Sequence, residues 1–210
     1  MKLLELFKGS GSVSKVAIPR GYEVVSLDYD KKFNPDICSD ILKWDYESFS
    51  KDFVPDFIWA SPPCNTFSPL AYPLKERDTK TAKPLSQRAI RGTNYLYRTI
   101  RIIRHFRKLN PNLCFVIENP RGMMRNDKHM KKFYLANTYY FFYGFNRRKS
   151  TDFFSNFELD LVNPKVTKMT KHERDNYQRI QRETTLLERY AIPPLLIETI
   201  LNQFEDLYDI

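Results

Sequence analysis

The sequence has few residues of the kinds that build covalent or metal-held scaffolds. Only three cysteines and three histidines occur in 210 residues, and the cysteines show neither C-x-x-C nor paired spacing. These absences exclude a disulfide framework and a zinc site of the usual spacing, so we expect no bound metal. No apolar run reaches the roughly 20 residues of a membrane helix, and no signal-peptide pattern precedes the first strand. We therefore expect an intracellular protein that needs no membrane.

The composition is that of a basic protein with enough apolar residues for one packed core. Hydrophobic residues make up 42% and aromatic residues 15% of the chain, which is ample for a single domain over residues 1–210. The 34 Lys and Arg residues exceed the 25 Asp and Glu residues, giving a formal net charge of +9. That balance favours a polyanionic partner such as nucleic acid, although a merely solvated basic surface is the alternative.

Alternating apolar runs and helical patterns indicate the fold class. The runs predict strands at Lys2–Leu6, Glu23–Leu27, Phe57–Ala60 and Leu113–Ile117, and a further one near Tyr139–Tyr143. Apolar residues at spacings of three and four predict a helix over Thr93–Lys108. Strands that alternate with helices indicate an α/β fold with a doubly wound, mostly parallel sheet, which binds its ligands at the carboxyl edge.

Two of these strands deliver reactive side chains to that edge. The turn Pro62-Pro63-Cys64-Asn65 follows the strand at Phe57–Ala60, which makes Cys64 a candidate nucleophile. Glu118 follows the strand at Leu113–Ile117 and brings a carboxylate to the same edge. A structural cysteine and a surface acid are the alternatives.

A glycine turn and an acid near the start of the chain indicate a nucleotide-like ligand. Gly9 and Gly11 follow the first strand and allow the backbone to approach a ligand closely, or they simply form a tight turn. Asp28 ends the second strand about twenty residues later, where nucleotide-binding folds place an acid on ribose hydroxyls. Asp28 is therefore the predicted ribose ligand.

Three motifs in order resemble the signatures F-x-G-x-G, P-P-C-Q and E-N-V of the cytosine-C5 DNA methyltransferases. They begin here at Phe7, Pro62 and Glu118, and the resemblance extends from Leu3 to about Ile200. It implies a Rossmann-like class I methyltransferase fold with S-adenosylmethionine as cofactor. The implied substrate is cytosine-containing DNA, either in the nucleoid of a bacterial cell or in the cytoplasm of a host cell. It also implies a small member of viral or phage type.

The resemblance also implies roles for individual residues. Together with Gly9, Gly11 and Asp28, the predicted cofactor site comprises Phe7, Asp40, Ile41 and Pro62. Asp40 would accept a hydrogen bond from the adenine amino group, with Ile41 as an apolar wall. The predicted substrate site comprises Pro63, Ser68, Asn119, Arg147 and Arg148. The segment from Tyr190 to Pro194 resembles the final N-A-V-P-P element, which closes the cofactor site beside the first strand.

The implied reaction explains these residue types. Cytosine C5 is a poor nucleophile, so the Cys64 thiolate would first add to C6 and convert the ring to an enamine. Glu118 would be the acid that hydrogen-bonds to N3 and protonates it. The cytosine must leave the duplex stack to reach both groups. The segment Tyr72–Arg91, with six cations, resembles the family's mobile loop over the flipped base and suits phosphate contacts.

The chain departs from the family pattern in its second half. Residues 144–151 stand where the family has Q-x-R-x-R, and Arg147, Arg148 or Lys149 could supply the supporting cation. A short basic segment over 152–185 replaces the usual target-recognition domain. This allows loose specificity, a separate specificity subunit, or a substrate other than long duplex DNA. Methylation of RNA or a nucleotide, and a non-catalytic DNA-binding or regulatory role, are the alternative functions.

Overall fold

A seven-stranded sheet lies at the centre of the computed structural model, which describes residues 1–145, 149–162, 188 and 190–208. The strands are β1 (Lys2–Leu6), β2 (Glu23–Asp28), β3 (Ile37–Cys38), β4 (Phe57–Ala60), β5 (Cys114–Pro120), β6 (Tyr134–Tyr139) and β7 (Ser150–Ser155). Their order is β3-β2-β1-β4-β5-β7-β6. The first five strands pair with one another in parallel, whereas β7 runs antiparallel to both β5 and β6. The predicted mostly parallel sheet is confirmed.

Helices cover both faces of this sheet. The α-helices are α1 (Ser12–Ala17), α2 (Tyr46–Phe49), α3 (Gln87–Leu109) and α4 (Pro194–Asp206). Short 3-10 helices occupy Ile18–Arg20, Lys31–Phe33, Pro69–Leu74, Met123–Asn126 and Tyr140–Tyr143. Neighbouring β1 side chains point to opposite faces, so Leu3 joins the core under α1 and α4 while Leu4 joins the core under α2 and α3. The doubly wound α/β architecture is therefore present.

The four strand predictions with continuous apolar runs are confirmed, although the strand predicted to end at Ile117 continues to Pro120. The strand predicted near Tyr139–Tyr143 is wrong, because a strand ends at Tyr139 and a 3-10 helix follows over Tyr140–Tyr143. Burial shows the reason: Tyr140 and Tyr143, three residues apart, are buried while Phe141 is exposed. That period of three is the 3-10 repeat and not the strand repeat of two.

Helix α3 is longer than its apolar spacing predicts. It starts at Gln87 and not Thr93, since the Ser86 hydroxyl caps it by accepting from the Ala89 amide at 3.1 Å. The first turns of α3 carry few apolar residues, so the apolar spacing underestimates the length of the helix. Within the described residues, no helix is long and apolar enough to cross a bilayer.

The predicted basic segment over 152–185 begins inside the fold. Asp152 to Ser155 form part of β7, and Phe157, Leu159 and Leu161 join the core. Residues 163–187 lie outside the described residues.

A candidate active site at the carboxyl edge of the sheet

A cavity of about 880 Å³ opens where β1, β2, β4 and β5 end, a size typical of small-molecule sites. It brings together ten of the residues predicted from the sequence: Phe7, Gly9, Asp28, Asp40, Ile41, Pro62, Pro63, Cys64, Glu118 and Asn119. Gly11 and Ser68 do not line it. Arg147 and Arg148 lie outside the described residues, so their predicted substrate contacts stay predictions.

The glycine turn and the acid at the end of β2 form one unit. The Asp28 Oδ2 accepts from the Gly9 amide at 2.9 Å, and its Oδ1 accepts from the Asp30 amide at the same distance. Gly9 and Gly11 have φ of 50° and 67°, the left-handed region that glycine adopts without strain. Asp28 thus shapes the turn directly. Each carboxylate oxygen has a further lone pair that a ribose hydroxyl can use.

The residue before this turn is held in an uncommon conformation. Phe7 has φ of 62°, which is rare for a bulky side chain and marks a constrained position. Its ring meets Tyr95 of α3 edge to face, with centroids 6.3 Å apart. Both rings line the cavity. The strained residue therefore faces the site and does not merely connect β1 to α1.

A buried acid in β1 organises the other side of the turn. Glu5 is 3% exposed and accepts from the amides of Val13 and Ser14 and from the Ser14 hydroxyl. Its carboxylate thereby satisfies amides at the start of α1, which have no partner within the helix. Burial raises the pKa of Glu5 to about 7, although these hydrogen bonds oppose the shift. Glu5 also lines the cavity, and the acid inside an apolar strand was a sequence signal for it.

The chemistry of the remaining residues predicted for the cofactor site fits an adenosyl group. Asp40 accepts from the Leu42 amide through Oδ1 at 3.0 Å and lines the cavity beside the buried Ile41. Tyr29, next to Asp28, also lines it and is 74% exposed, which leaves an aromatic face available. Carboxylates for hydroxyl and amino donors, beside apolar walls, match the chemistry of a nucleoside. The residues present therefore fit S-adenosylmethionine.

The C-terminal element closes this end of the cavity. The Ile192 amide donates to the Ser12 hydroxyl at 3.1 Å, which ties the segment before α4 to the glycine turn. Tyr190 and Ile192 both line the cavity. The expectation that this element folds back beside the first strand is confirmed.

The Cys64 turn is fixed by backbone hydrogen bonds. The Cys64 carbonyl accepts from the amides of Phe67 and Ser68, each at 2.9 Å. The Asn119 side-chain amide donates to the Pro62 carbonyl at 2.9 Å, joining the end of β5 to this turn. Asn119 is fully buried. Its role in the structure is thus to hold the Cys64 turn against the strand end that carries Glu118.

Glu118 lies between a phenol and an ammonium group. The Tyr140 hydroxyl donates to Glu118 Oε1 at 3.1 Å, and Lys149 Nζ is 3.9 Å from the same oxygen. Lys149 also lies over the Tyr140 ring, 4.7 Å from its centroid. Lys149 is therefore the described cation beside the acid, among the three that the sequence left open. The sequence reasoning missed Tyr140 because it assigned that run to a strand.

These charges act on the cysteine. Burial raises the pKa of the Cys64 thiol above its usual value, and the negative charge of Glu118 raises it further, while Lys149 lowers it. Burial and Glu118 also raise the pKa of Tyr140 well above its usual value, so its hydroxyl remains a hydrogen-bond donor. The thiol therefore needs activation.

The loop after Cys64 differs from the expectation in one respect. Arg77 was predicted to contact phosphate, but it is 3% exposed. Its guanidinium donates to the hydroxyls of Thr66 and Thr93 and to the carbonyls of Ala82 and Ala89. It also lies 3.6 Å from the centroid of the Phe67 ring, inside the fold. Arg77 thus fastens the loop to α3 and to the Cys64 turn, whereas Lys75, Lys80 and Lys83 are exposed.

Comparisons with known proteins agree with this geometry. A family model described as C-5 cytosine-specific DNA methylase matches residues 1–139. A curated relative, the probable DNA (cytosine-5)-methyltransferase of Frog virus 3 (isolate Goorha), is 36% identical over 126 residues, which are 57% of this chain and 54% of that protein.

Solved structures show the same fold at low sequence identity. The Entamoeba histolytica methyltransferase EhMeth aligns with a TM-score of 0.51 and 12% identity over 80% of this chain and 57% of that one. The S. pombe Dnmt2 methyltransferase aligns with a TM-score of 0.51 and 13% identity over 77% of this chain and 51% of that one. The chain thus spans about half the length of the relatives it matches. The family model covers well over half of the sequence, and the chain belongs to the C-5 cytosine-specific DNA methylase family.

Proposed function

We propose that this chain transfers a methyl group from S-adenosylmethionine to C5 of cytosine in DNA through a covalent Cys64 adduct. The observation that carries the proposal is the shared cavity, which Cys64 and Glu118 line together with the glycine turn and Asp40. A nucleophile, an acid and a nucleoside site are therefore available to one reaction. A DNA substrate would place the protein in the intracellular compartment that holds that DNA.

The proposed cofactor site uses the residues at the β1 and β2 ends. Asp28 would bind the ribose hydroxyls, Asp40 the adenine amino group, and Ile41 the face of the ring. Phe7, Gly9 and Pro62 would line the methionine end, with Gly11 shaping the turn. When bound, S-adenosylmethionine supplies a methyl group on a sulfonium sulfur, which is open to attack by a carbon nucleophile.

The reaction begins after the Cys64 thiol has lost its proton to solvent. The thiolate sulfur then forms a bond to C6 of the cytosine, and the ring electrons move towards N3. Glu118, in its acid form, donates its proton to N3. The resulting enamine carries nucleophilic character at C5, which takes the methyl group. A base then removes the C5 proton, and the electron pair expels the Cys64 thiolate. N3 returns its proton to Glu118, which restores the neutral aromatic ring and the acid form of Glu118. Pro63 and Asn119 would line the base, and Asn119 holds the turn in place.

The pKa relations couple the two catalytic residues. A carboxylate at Glu118 raises the pKa of Cys64, so a neutral, protonated Glu118 removes that opposition and leaves the Lys149 charge to stabilise the thiolate. The form of Glu118 that can protonate N3 is therefore also the form that favours the nucleophile. Both changes promote the same addition step.

Tyr140 is the proposed positioning residue for this acid. Because its hydroxyl donates to Oε1, that oxygen acts as an acceptor and Oε2 is left to carry the proton. The full burial of Tyr140 fixes the direction of the hydrogen bond.

Two ways of selecting the DNA sequence are compatible with this proposal. The basic segment before α4 falls largely outside the described residues, so loose specificity and a separate specificity subunit are both compatible with the cavity. Ser68 forms part of the Cys64 turn and, like Arg147 and Arg148, remains a predicted substrate residue.

The activity is tested by nucleoside mass spectrometry on DNA and RNA from cells that express the wild-type chain or its Cys64→Ala variant. We expect 5-methylcytosine in DNA with the wild type and none with the variant, because the variant lacks the nucleophile. The matched control is Cys38→Ala, which removes an exposed cysteine outside the cavity. Methylation in RNA alone, or methylation that survives Cys64→Ala, would contradict the proposal.

The coupling between Glu118 and Cys64 is tested by the pH dependence of alkylation in a Cys38→Ser background. We expect the iodoacetamide reaction of Cys64 to rise with pH, and Glu118→Gln to move the curve to lower pH because it removes a negative charge near the thiol. Lys149→Gln should move the curve to higher pH. A curve that neither variant moves would show that burial alone controls the thiol and would contradict the coupling.

The positioning role of Tyr140 is tested by Tyr140→Phe. We expect kcat to fall about tenfold with little change in the KM for DNA, which corresponds to losing about one hydrogen bond in the transition state. Tyr143→Phe is the matched control, since its buried hydroxyl accepts from the Val162 amide and not from Glu118. Equal kcat losses in the two variants, or a change in KM alone, would contradict the role.

A further inference from the structure

Helix α3 carries cations of two kinds. It has seven Lys and Arg residues and no acid over Gln87–Leu109. The first three are accounted for: Arg88 and Arg91 line the cavity, and Arg98 donates to the carbonyls of Ile41 and Trp44. The N-terminal half of the helix is thus committed to the site and to the fold.

The later cations have no such partners. Arg101, Arg104, Arg107 and Lys108 are exposed, and they form no hydrogen bond or ion pair with any side chain in the part of the chain that the structure describes. Cations in the last turn of a helix complement its dipole, which accounts for Arg107 and Lys108. The helix dipole does not account for Arg101 and Arg104, which lie further from the helix end.

A second segment adds positive charge beside this helix. The Tyr97 hydroxyl donates to Asp127 at 3.1 Å, and the Tyr97 ring meets His129 with centroids 4.6 Å apart. These contacts bring residues 127–133 alongside α3. Lys128 and Lys132 of that segment are exposed. With Arg101, Arg104 and Lys108 they form what we call the basic surface.

The members of the basic surface lie close enough to repel one another. Partial burial lowers the pKa of Lys132, and the nearby positive charge of Arg104 lowers it further. Arg101, Arg104 and Lys108 share one face of the helix, at spacings of three and four residues. Like charges placed together without acids destabilise the free protein slightly, and a polyanion removes that repulsion.

None of the five residues of the basic surface lines the cavity, and the end of α3 that carries Lys108 lies at the opposite edge of the sheet. At the C-terminal end of α3, the Asn110 side-chain amide donates to the Pro55 carbonyl, just before β4 begins. That end of the helix is therefore at the amino edge of the sheet, whereas the cavity is at the carboxyl edge. Contacts made there cannot belong to the base that reacts with Cys64.

We propose that the basic surface binds the phosphate backbone of a nucleic acid at a place separate from the active site. An anionic membrane is the other polyanion to weigh, but a membrane-binding helix turns apolar side chains to the lipid. Of the aliphatic side chains in this part of α3, Ile100, Ile102 and Ile103 are buried in the core, and Leu109 at the helix end is half exposed. One exposed leucine does not make an apolar face. Charge without an apolar face fits phosphate contacts, which hold a nucleic acid without reading its sequence.

The test measures binding to a duplex of about 30 A·T base pairs, which contains no cytosine for the active site. We expect the double variant Arg104→Gln/Lys132→Gln to bind about tenfold more weakly at low salt and to reduce the slope of log Kobs against log salt by about 2. The charge-preserving variant Arg104→Lys/Lys132→Arg should bind like the wild type. Lys15→Gln/Lys31→Gln removes two exposed charges elsewhere and should also keep the slope.

Two results would overturn the proposal. Equal losses in Arg104→Gln/Lys132→Gln and Lys15→Gln/Lys31→Gln would mean that net charge alone drives binding. An unchanged slope in the first variant, together with lost binding to phosphatidylserine vesicles, would assign the basic surface to a membrane. Because binding is the readout, neither result depends on whether the chain transfers methyl groups.

Discussion

A buried hydrogen bond from the Asn119 side chain to the Pro62 carbonyl joins the two strand ends on which the proposed chemistry depends. In the parallel pairing of β4 with β5, Ala60 lies opposite Ile117. The turn after β4 and the end of β5 therefore already lie side by side. The hydrogen bond then fixes the turn in relation to the residue after Glu118. Together with the backbone hydrogen bonds of the turn, this contact gives Cys64 a defined position relative to the acid.

The electrostatics follow from that placement. Bringing a thiol and a carboxylate into one buried site opposes ionisation of the thiol. Lys149 partly offsets this effect, and its position beside Glu118 and over Tyr140 makes the three residues a single group. The negative charge of Glu118 therefore opposes, and the positive charge of Lys149 favours, ionisation of the thiol. The same group explains why Tyr140 is buried where the sequence suggested a strand.

The sequence allowed prediction of the parts of the site that depend on local chain order. Asp28 and Glu118 lie at the carboxyl ends of apolar strands, Cys64 and the glycine turn follow such strands, and the carboxyl ends of parallel strands meet at one edge. Glu5, Tyr140 and Lys149 were harder, because their roles come from contacts across the sheet. Arg77 shows the same limit: a cation in a polar loop resembles a phosphate ligand until its hydrogen bonds to Thr66 and Thr93 are seen. The β6–β7 pair was missed because β7 buries polar residues such as Thr151 and Asp152.

The most direct test of the account is a covalent trap. In DNA that carries 5-fluorocytosine, the fluorine at C5 cannot leave as a proton, so the adduct formed after methyl transfer persists. Intact-protein mass spectrometry should show the chain joined to the oligonucleotide only when S-adenosylmethionine is present, and peptide mapping should place the bond on Cys64. An adduct on another residue, or methyl transfer to ordinary cytosine with no adduct on the fluorinated DNA, would contradict the account.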